Sequence, residues 1–234
     1  MNNPISKRLI KASMLVEKGA KVADIGCDHG YLGIYLLENN IASYVCASDL
    51  RVGPLDAAKK NAAKFGVAEQ MDFVLADGFA GVDAQTVDTL ICCGMGGDLI
   101  RKMIEKSPWV RDEKYTLILQ PQSGQSEFRK WLTGEGFSIL EEVPVFDDRF
   151  IYFAMKVRYT GQKTVLSPGE AYVTKQMLRS GSEDLPVYID RVLQSLEKSI
   201  KGMEMASKPD ARLTEFRQAR EEVLAMKEKL YEGL

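Results

Sequence analysis

The segment Asp24-Ile25-Gly26-Cys27-Asp28-His29-Gly30 sets two carboxylates and the chain's only histidine around a pair of glycines. Gly26 and Gly30 let the backbone turn sharply and approach a ligand without a Cβ in the way. Asp49 ends the next strand-like run and can accept hydrogen bonds from both hydroxyls of a ribose. Ala76-Asp77-Gly78 follows the third such run, where an aspartate can accept from the exocyclic amine of adenine. Each aspartate alone also reads as a helix N-cap or turn residue. Three in register at successive strand ends favour a shared site for a nucleoside-bearing cofactor.

Two cofactor classes compete for such a loop. A dinucleotide fingerprint needs G-x-G-x-x-G, whose second glycine brings the backbone close to pyrophosphate. Asp28 occupies that second-glycine position, and its carboxylate would repel a phosphate. S-adenosyl-L-methionine carries no phosphate and presents a sulfonium and an ammonium, which suit Asp24 and Asp28. The expected cofactor is therefore S-adenosylmethionine, with NAD as the runner-up. The expected contacts are Asp24, Gly26, Cys27, Asp28, Gly30, Asp49, Leu50, Asp77, Gly78 and Gly94.

Further along, Cys92-Cys93-Gly94-Met95-Gly96-Gly97-Asp98 follows the fourth strand-like run. The Asn/Asp-Pro-Pro-Tyr/Phe pattern typical of enzymes that methylate exocyclic amines is absent. The glycines suggest a backbone-lined floor with room for a flat ring or for the cofactor's methionine moiety. A tight strand-to-helix turn with Asp98 as N-cap explains the same residues.

The elements that hold these residues follow from periodicity. An amphipathic helix is expected over the first ~18 residues, with Ile5, Leu9, Ala12 and Val16 on one face. Strands are expected at 21–25, 43–48, 71–75, 89–93 and 115–119, with helices at 31–39, 54–65, 98–105 and 126–133. Alternation of near-continuous apolar strands with helices implies βαβ units and a parallel sheet covered on both faces. The rhythm then changes: 137–143 and 149–157 are strands with only a short connection at Asp147-Asp148, a β-hairpin. Class I methyltransferases end their sheet this way, whereas a dinucleotide-binding domain ends on another βα unit. The fold class is thus α/β, a Rossmann-like methyltransferase sheet, mostly parallel with an antiparallel terminal hairpin.

Beyond Pro168 two helices are expected, 185–203 and 211–231. Ile189, Val192, Leu196 and Met203 share one face of the first, and Phe216, Ala219, Val223, Met226 and Leu230 form a heptad seam on the second. Lys208-Pro209-Asp210 breaks them apart. This predicts a Rossmann-like cofactor-binding domain with its N-terminal helix at 1–160 and a C-terminal α-helical, coiled-coil-like hairpin at 161–234.

Bulk properties narrow the rest. The 234 residues carry 31 basic and 33 acidic side chains, so no global basic excess announces a polyanionic partner. Basic and acidic residues also balance in the C-terminal hairpin, twelve of each, which reads as a solvated surface. No apolar run reaches the ~20 residues that cross a bilayer. No apolar signal-peptide core follows Lys7, Arg8 and Lys11. Cys27, Cys46, Cys92 and Cys93 lack zinc-site spacing and read as reduced, mostly buried thiols of a cytoplasmic protein. No metal and no membrane partner are expected, and a monomer is favoured.

Ser6-Lys7-Arg8-Leu9, Asp24-Ile25-Gly26 with Asp28-His29, Gly94-Met95-Gly96-Gly97 and Gln120-Pro121 together resemble the bacterial tRNA (adenine-22-N1)-methyltransferase family. The likeness covers essentially the whole chain, since the appended helical hairpin fits as well. It implies methyl transfer to the ring nitrogen N1 of a tRNA adenine, with tRNA as partner. Asp28, His29 and Met95 are then the candidate catalytic residues. Asp28 competes with a plain cofactor contact, His29 can orient the base or bind the cofactor carboxylate, and Arg8 can reach that carboxylate, an RNA phosphate or neither. The alternatives are a methyltransferase for a small molecule or protein, and a non-catalytic cofactor-binding module.

Overall fold

The computed structural model describes residues 4–206 and 209–232, with side chains through 230. Its centre is a seven-stranded sheet: β1 (Ala20–Ile25), β2 (Ala42–Asp49), β3 (Met71–Leu75), β4 (Thr89–Met95), β5 (Thr116–Pro121), β6 (Phe137–Asp147) and β7 (Phe150–Tyr159). The strand order is β3-β2-β1-β4-β5-β7-β6. The first five strands are parallel, and β7 runs antiparallel between β5 and β6. The terminal hairpin expected from the missing helix is present. Asp148 makes its turn with φ 57°.

Helices α1 (Lys7–Ser13), α2 (Tyr31–Glu38) and α3 (Val52–Phe65) cover one face. They bury Ala12, Leu32, Leu36, Leu55 and Ala58 against Val22, Val45, Ile91, Ile118 and Ala154. On the other face lie α4 (Gly97–Lys106), α5 (Gln125–Gly134), the short α6 (Lys175–Leu178), α7 (Leu185–Glu204) and α8 (Leu213–Glu232). Ile100, Phe128 and Leu132 there join Leu90, Leu117, Phe153 and Val157 in one core. Strands buried on both faces have no polar side to show, which is why they read as apolar runs.

The C-terminal helices continue this core. Met177, Leu185, Tyr188, Ile189, Leu196, Ala219 and Val223 all belong to it. Of the heptad seam, Ala219 and Val223 are buried while Phe216, Met226 and Leu230 pack at its border. A buried ionic network ties the parts together. Arg129 donates to Glu142 Oε1 (2.8 Å), to the Ala171 carbonyl (3.0 Å) and to the Tyr188 hydroxyl (3.0 Å). Thr174 Oγ1 donates to Glu142 Oε2 at 2.5 Å. Glu142 offsets the desolvation of the guanidinium and holds it protonated.

Two local expectations differ from what is found. Helix α1 is a single short run and stops at Ser13, because the chain must tighten through three-residue turns before Gly19 (φ 85°) feeds β1. Asp98 is not the N-cap of α4. Gly96 holds that position, and Asp98 sits in the first turn, where its charge faces the positive end of the helix dipole. Asp210 precedes α8, its Oδ1 accepting from the Arg212 amide at 2.9 Å, and Lys208 lies outside the described residues.

Strand β6 is a sheet edge, and an exposed edge invites pairing with another chain. Pro144 lies within it. Ser182 Oγ donates to the Pro144 carbonyl (3.0 Å), and the Phe146 amide donates to Asp184 Oδ2 (3.0 Å). The loop before α7 thus occupies part of the edge.

Candidate functional site

Ligands of open parallel sheets bind beyond the C-terminal strand ends, where the strand order reverses. Here that point lies between β1 and β4, and a cavity of about 480 Å³ opens there. Its wall includes Arg8, Asp24, Gly26, Cys27, Asp28, His29, Asp49, Leu50, Asp77, Gly78, Gly94 and Met95. The structure therefore gathers these expected site residues around one space. Gly30 does not line it. With φ 74° Gly30 starts α2, and a Cβ there would sit 2.9 Å from the Ala58 Cβ. Its glycine serves the close approach of α2 to α3.

The β1 loop is fixed by its own backbone. The amides of Gly26 and Cys27 both donate to the Ser48 carbonyl, at 2.8 and 2.9 Å. Asp49 Oδ2 accepts from the Asp28 amide at 3.2 Å, and Asp49 Oδ1 accepts from the Arg51 amide at 2.9 Å. Asp28 has φ 51°, a left-handed conformation that costs a non-glycine residue roughly 1 kcal/mol. Gly26, at φ 69°, lies so close to Met95 that a Cβ would fall 2.3 Å from its Cε.

Asp24 is the most perturbed acid of the site. It is buried, and its Oδ2 has no hydrogen-bond partner among the described residues. Burial raises its carboxyl to about 7, and nearby Asp49 adds to the rise against a bond from the Gly33 backbone. A buried acceptor without a donor is costly unless a ligand supplies one. The cavity wall holds four carboxylates, Asp24, Asp28, Asp49 and Asp77, against the cations Arg8 and Arg51. That balance favours a cationic ligand. Leu50 and Leu99 are 67% and 49% exposed at this wall, and Met95 and Met103 join them. Apolar side chains left uncovered in a polar cavity suit the faces of a planar ring.

At the rim, Asp28 and His29 project outward. Their side chains are 65% and 53% exposed, with Nε2 of His29 3.8 Å from Asp28 Oδ1. Asn61 anchors the His29 carbonyl at 2.9 Å, and the imidazole lies 5.9 Å from the Tyr31 ring. Asp77 faces Lys106 at 3.7 Å. Burial raises Cys27, Cys92 and Cys93 far above the ordinary thiol range and Cys46 to about 11, so none is a thiolate near neutrality. Among the described residues no cluster of three or more His, Cys, Asp or Glu is placed to hold a metal.

A residue given no role by sequence reasoning joins the site from below. Gln120 is fully buried at the end of β5. Its Oε1 accepts from the Gly94 amide (3.0 Å) and from Arg8 Nη1 (2.9 Å), while its Nε2 has no partner among the described residues. The Arg8 amide donates to Asp147 Oδ2 at 3.1 Å, and its guanidinium lies 5.8 Å from the Tyr152 ring centroid. Arg8 thus joins the N-terminal helix, the β4–α4 loop and the hairpin. The Gln-Pro pair was visible in the sequence, but the partners of Gln120, 26 and 112 residues away, were not. Arg51, Leu99 and Met103 are likewise wall residues that no motif marked.

Known proteins share this fold. The chain is 33% identical over 148 residues to the tRNA (adenine(22)-N(1))-methyltransferase of Bacillus subtilis, an alignment spanning 63% of this chain and 62% of that protein. The solved structure of the B. subtilis m1A22 tRNA methyltransferase superposes with a TM-score of 0.76 at 25% identity, covering 99% of both chains. A Streptococcus pneumoniae structure in complex with S-adenosyl-L-methionine superposes at 0.75 and 25% identity, over 97% of this chain and 98% of that one. The family model described as methyltransferase domain matches residues 5–155, the whole of α1 through most of β7. The chain belongs to the methyltransferase domain family.

Proposed function

We propose that this protein is an S-adenosylmethionine-dependent methyltransferase that modifies N1 of an adenine, adenine 22, in tRNA. The observation that carries the reading is the length of the structural likeness. The match to the m1A22 enzyme of B. subtilis covers 99% of the chain, and so runs past the methyltransferase domain into the C-terminal helices. Those helices share the catalytic domain's core, so substrate held on them is held rigidly to the cavity.

The cavity fits the cofactor. When bound, S-adenosylmethionine supplies a methyl group made electrophilic by its sulfonium. Asp24, once ionised, supplies the acceptor for an ammonium, and Asp49 offers a carboxylate to ribose hydroxyls. Leu50 and Leu99 cover the faces of an adenine ring, and Asp77 accepts from its exocyclic amine. The substrate adenine needs no base before attack, because N1 keeps an in-plane lone pair. Its product ring is cationic. The Asp28 carboxylate, exposed at the rim, stabilises that charge as it develops. His29 and Arg8 orient the base, and Gln120 holds Arg8 and the Gly94 amide where the base enters. Much of the acceleration then comes from positioning.

Among the described residues no helix is long and apolar enough to cross a membrane. A tRNA substrate and four free cysteines support a cytoplasmic enzyme, and we take it to act as a monomer. Incubation with methyl-labelled S-adenosylmethionine and unmodified bulk tRNA tests the reading. Label in tRNA is the expected result. Label on small molecules or protein alone would overturn the substrate assignment, and cofactor binding without transfer would overturn the enzyme.

A further inference from the structure

The β6–β7 hairpin rises past the end of β5 on the cavity side, since its Met155 already pairs with Leu119. Phe150 at its tip is 57% exposed and belongs to neither core cluster. Its ring lies 6.3 Å from that of Tyr152, on the same side of the strand. Tyr152 in turn borders the Arg8 guanidinium at 5.8 Å, and Arg8 is part of the cavity wall. An exposed aromatic surface therefore continues directly from the rim of the site.

Charge indicates what this surface suits. Arg149 pairs with Asp148 at 3.3 Å, and the Arg8 amide holds Asp147. One ion pair and the further carboxylate of Asp147 leave the tip no net positive charge to draw a phosphate. An uncharged base face, by contrast, stacks on an aromatic ring whatever its sequence.

We propose that Phe150 and Tyr152 form a stacking platform for an unpaired nucleobase of the RNA substrate, adjacent to the base that enters the cavity. The inference rests on the tRNA reading above and adds a second base-binding position to it. The Arg8 guanidinium neighbours both Tyr152 and the floor at Gly94, and so sets the spacing.

The test compares the full chain with Phe150→Ala, Tyr152→Ala and Phe150→Trp in methyl transfer to unmodified tRNA. Each alanine variant should raise KM for tRNA about tenfold, the loss of one stacked base. Phe150→Trp should restore it. For Phe150→Ala the affinity for S-adenosylmethionine and the salt dependence of KM should both stay as in the parent, because no cofactor contact and no phosphate contact is removed. An unchanged KM in both alanine variants, with the parent active on tRNA, would overturn the platform alone. A weakened salt dependence in Phe150→Ala would also overturn it, in favour of a phosphate contact. A parent that transfers no methyl to tRNA would overturn the function, and the platform with it.

Discussion

Asp24 links the chemistry of the site to a measurable pH dependence. Its buried carboxyl titrates at about 7 in the free protein. An ammonium seated against Oδ2 needs the ionised form, so binding below that value must expel a proton. The apparent dissociation constant then scales as one plus ten to the power of (pKa minus pH). Affinity is roughly elevenfold below its plateau at pH ~6, about twofold below at pH ~7, and ~1.4 kcal/mol is lost per further unit of acidity. The ligand's own α-amino group loses its proton near ~7.7–8.0, so affinity should peak between pH ~7 and ~8.

Calorimetry with S-adenosylmethionine at pH ~6, in two buffers of different ionisation enthalpy, should record ~0.9 proton released per ligand. In Asp24→Asn the acidic limb should vanish, because an amide cannot titrate. A flat affinity between pH 6 and 7, or an acidic limb that survives in Asp24→Asn, would refute the assignment. The same group acts in the opposite sense on folding. Its folded value lies above the ordinary 3.8, so its contribution to stability is complete below pH ~4. That contribution falls as pH rises towards 7, by up to about 4 kcal/mol, and bound cofactor should restore it.

Three further outcomes follow from the geometry. Arg129→Ala strands Glu142 in the core and should cost ~3–5 kcal/mol in urea unfolding, whereas Arg129→Met with Glu142→Leu should recover most of it. A single-variant loss below ~1 kcal/mol would contradict a buried pair. Gln120→Leu removes the acceptor shared by Arg8 and the Gly94 amide. It should cost ~1–3 kcal/mol in stability and lower kcat more than it weakens cofactor binding; equal effects on both would reassign Gln120 to the cofactor. Asp28→Gly should be no less stable than the parent in thermal melting, since glycine accepts φ 51° freely, yet it should turn over more slowly for want of the carboxylate. A marked drop in melting temperature would show that Asp28 holds the loop instead.

Apolar patterning made the sheet legible. The strand 71–75 reads the same from sequence and structure, and the missing helix between 143 and 149 announced the antiparallel hairpin. The glycines and aspartates at strand ends were legible for a related reason: the chain has few ways to turn from a buried strand into a helix beside a ligand. What stayed hidden depends on contacts between distant residues. Arg129 reads as a surface residue of an amphipathic helix until Glu142, Tyr188 and the Ala171 carbonyl are brought around it. The strand expected at 137–143 continues through Pro144 to Asp147, because an edge strand tolerates a proline. Gln120 was noticed without a role, because its partners come from β4 and the N-terminal helix. At Gly30 the conformational requirement is the same whether a ligand or Ala58 comes close, so the approach of Ala58 could not be read from the sequence.

The identity of the methylated atom decides the proposed function. Mapping the product on an unmodified tRNA transcript, by nucleoside mass spectrometry together with reverse transcription, tests it most directly. The expected result is 1-methyladenosine and a reverse-transcription stop at adenine 22, because a methyl on N1 blocks the Watson–Crick edge, and no product from a transcript with guanine at that position. A methyl on N6, or on any nucleotide other than adenine 22, would contradict it.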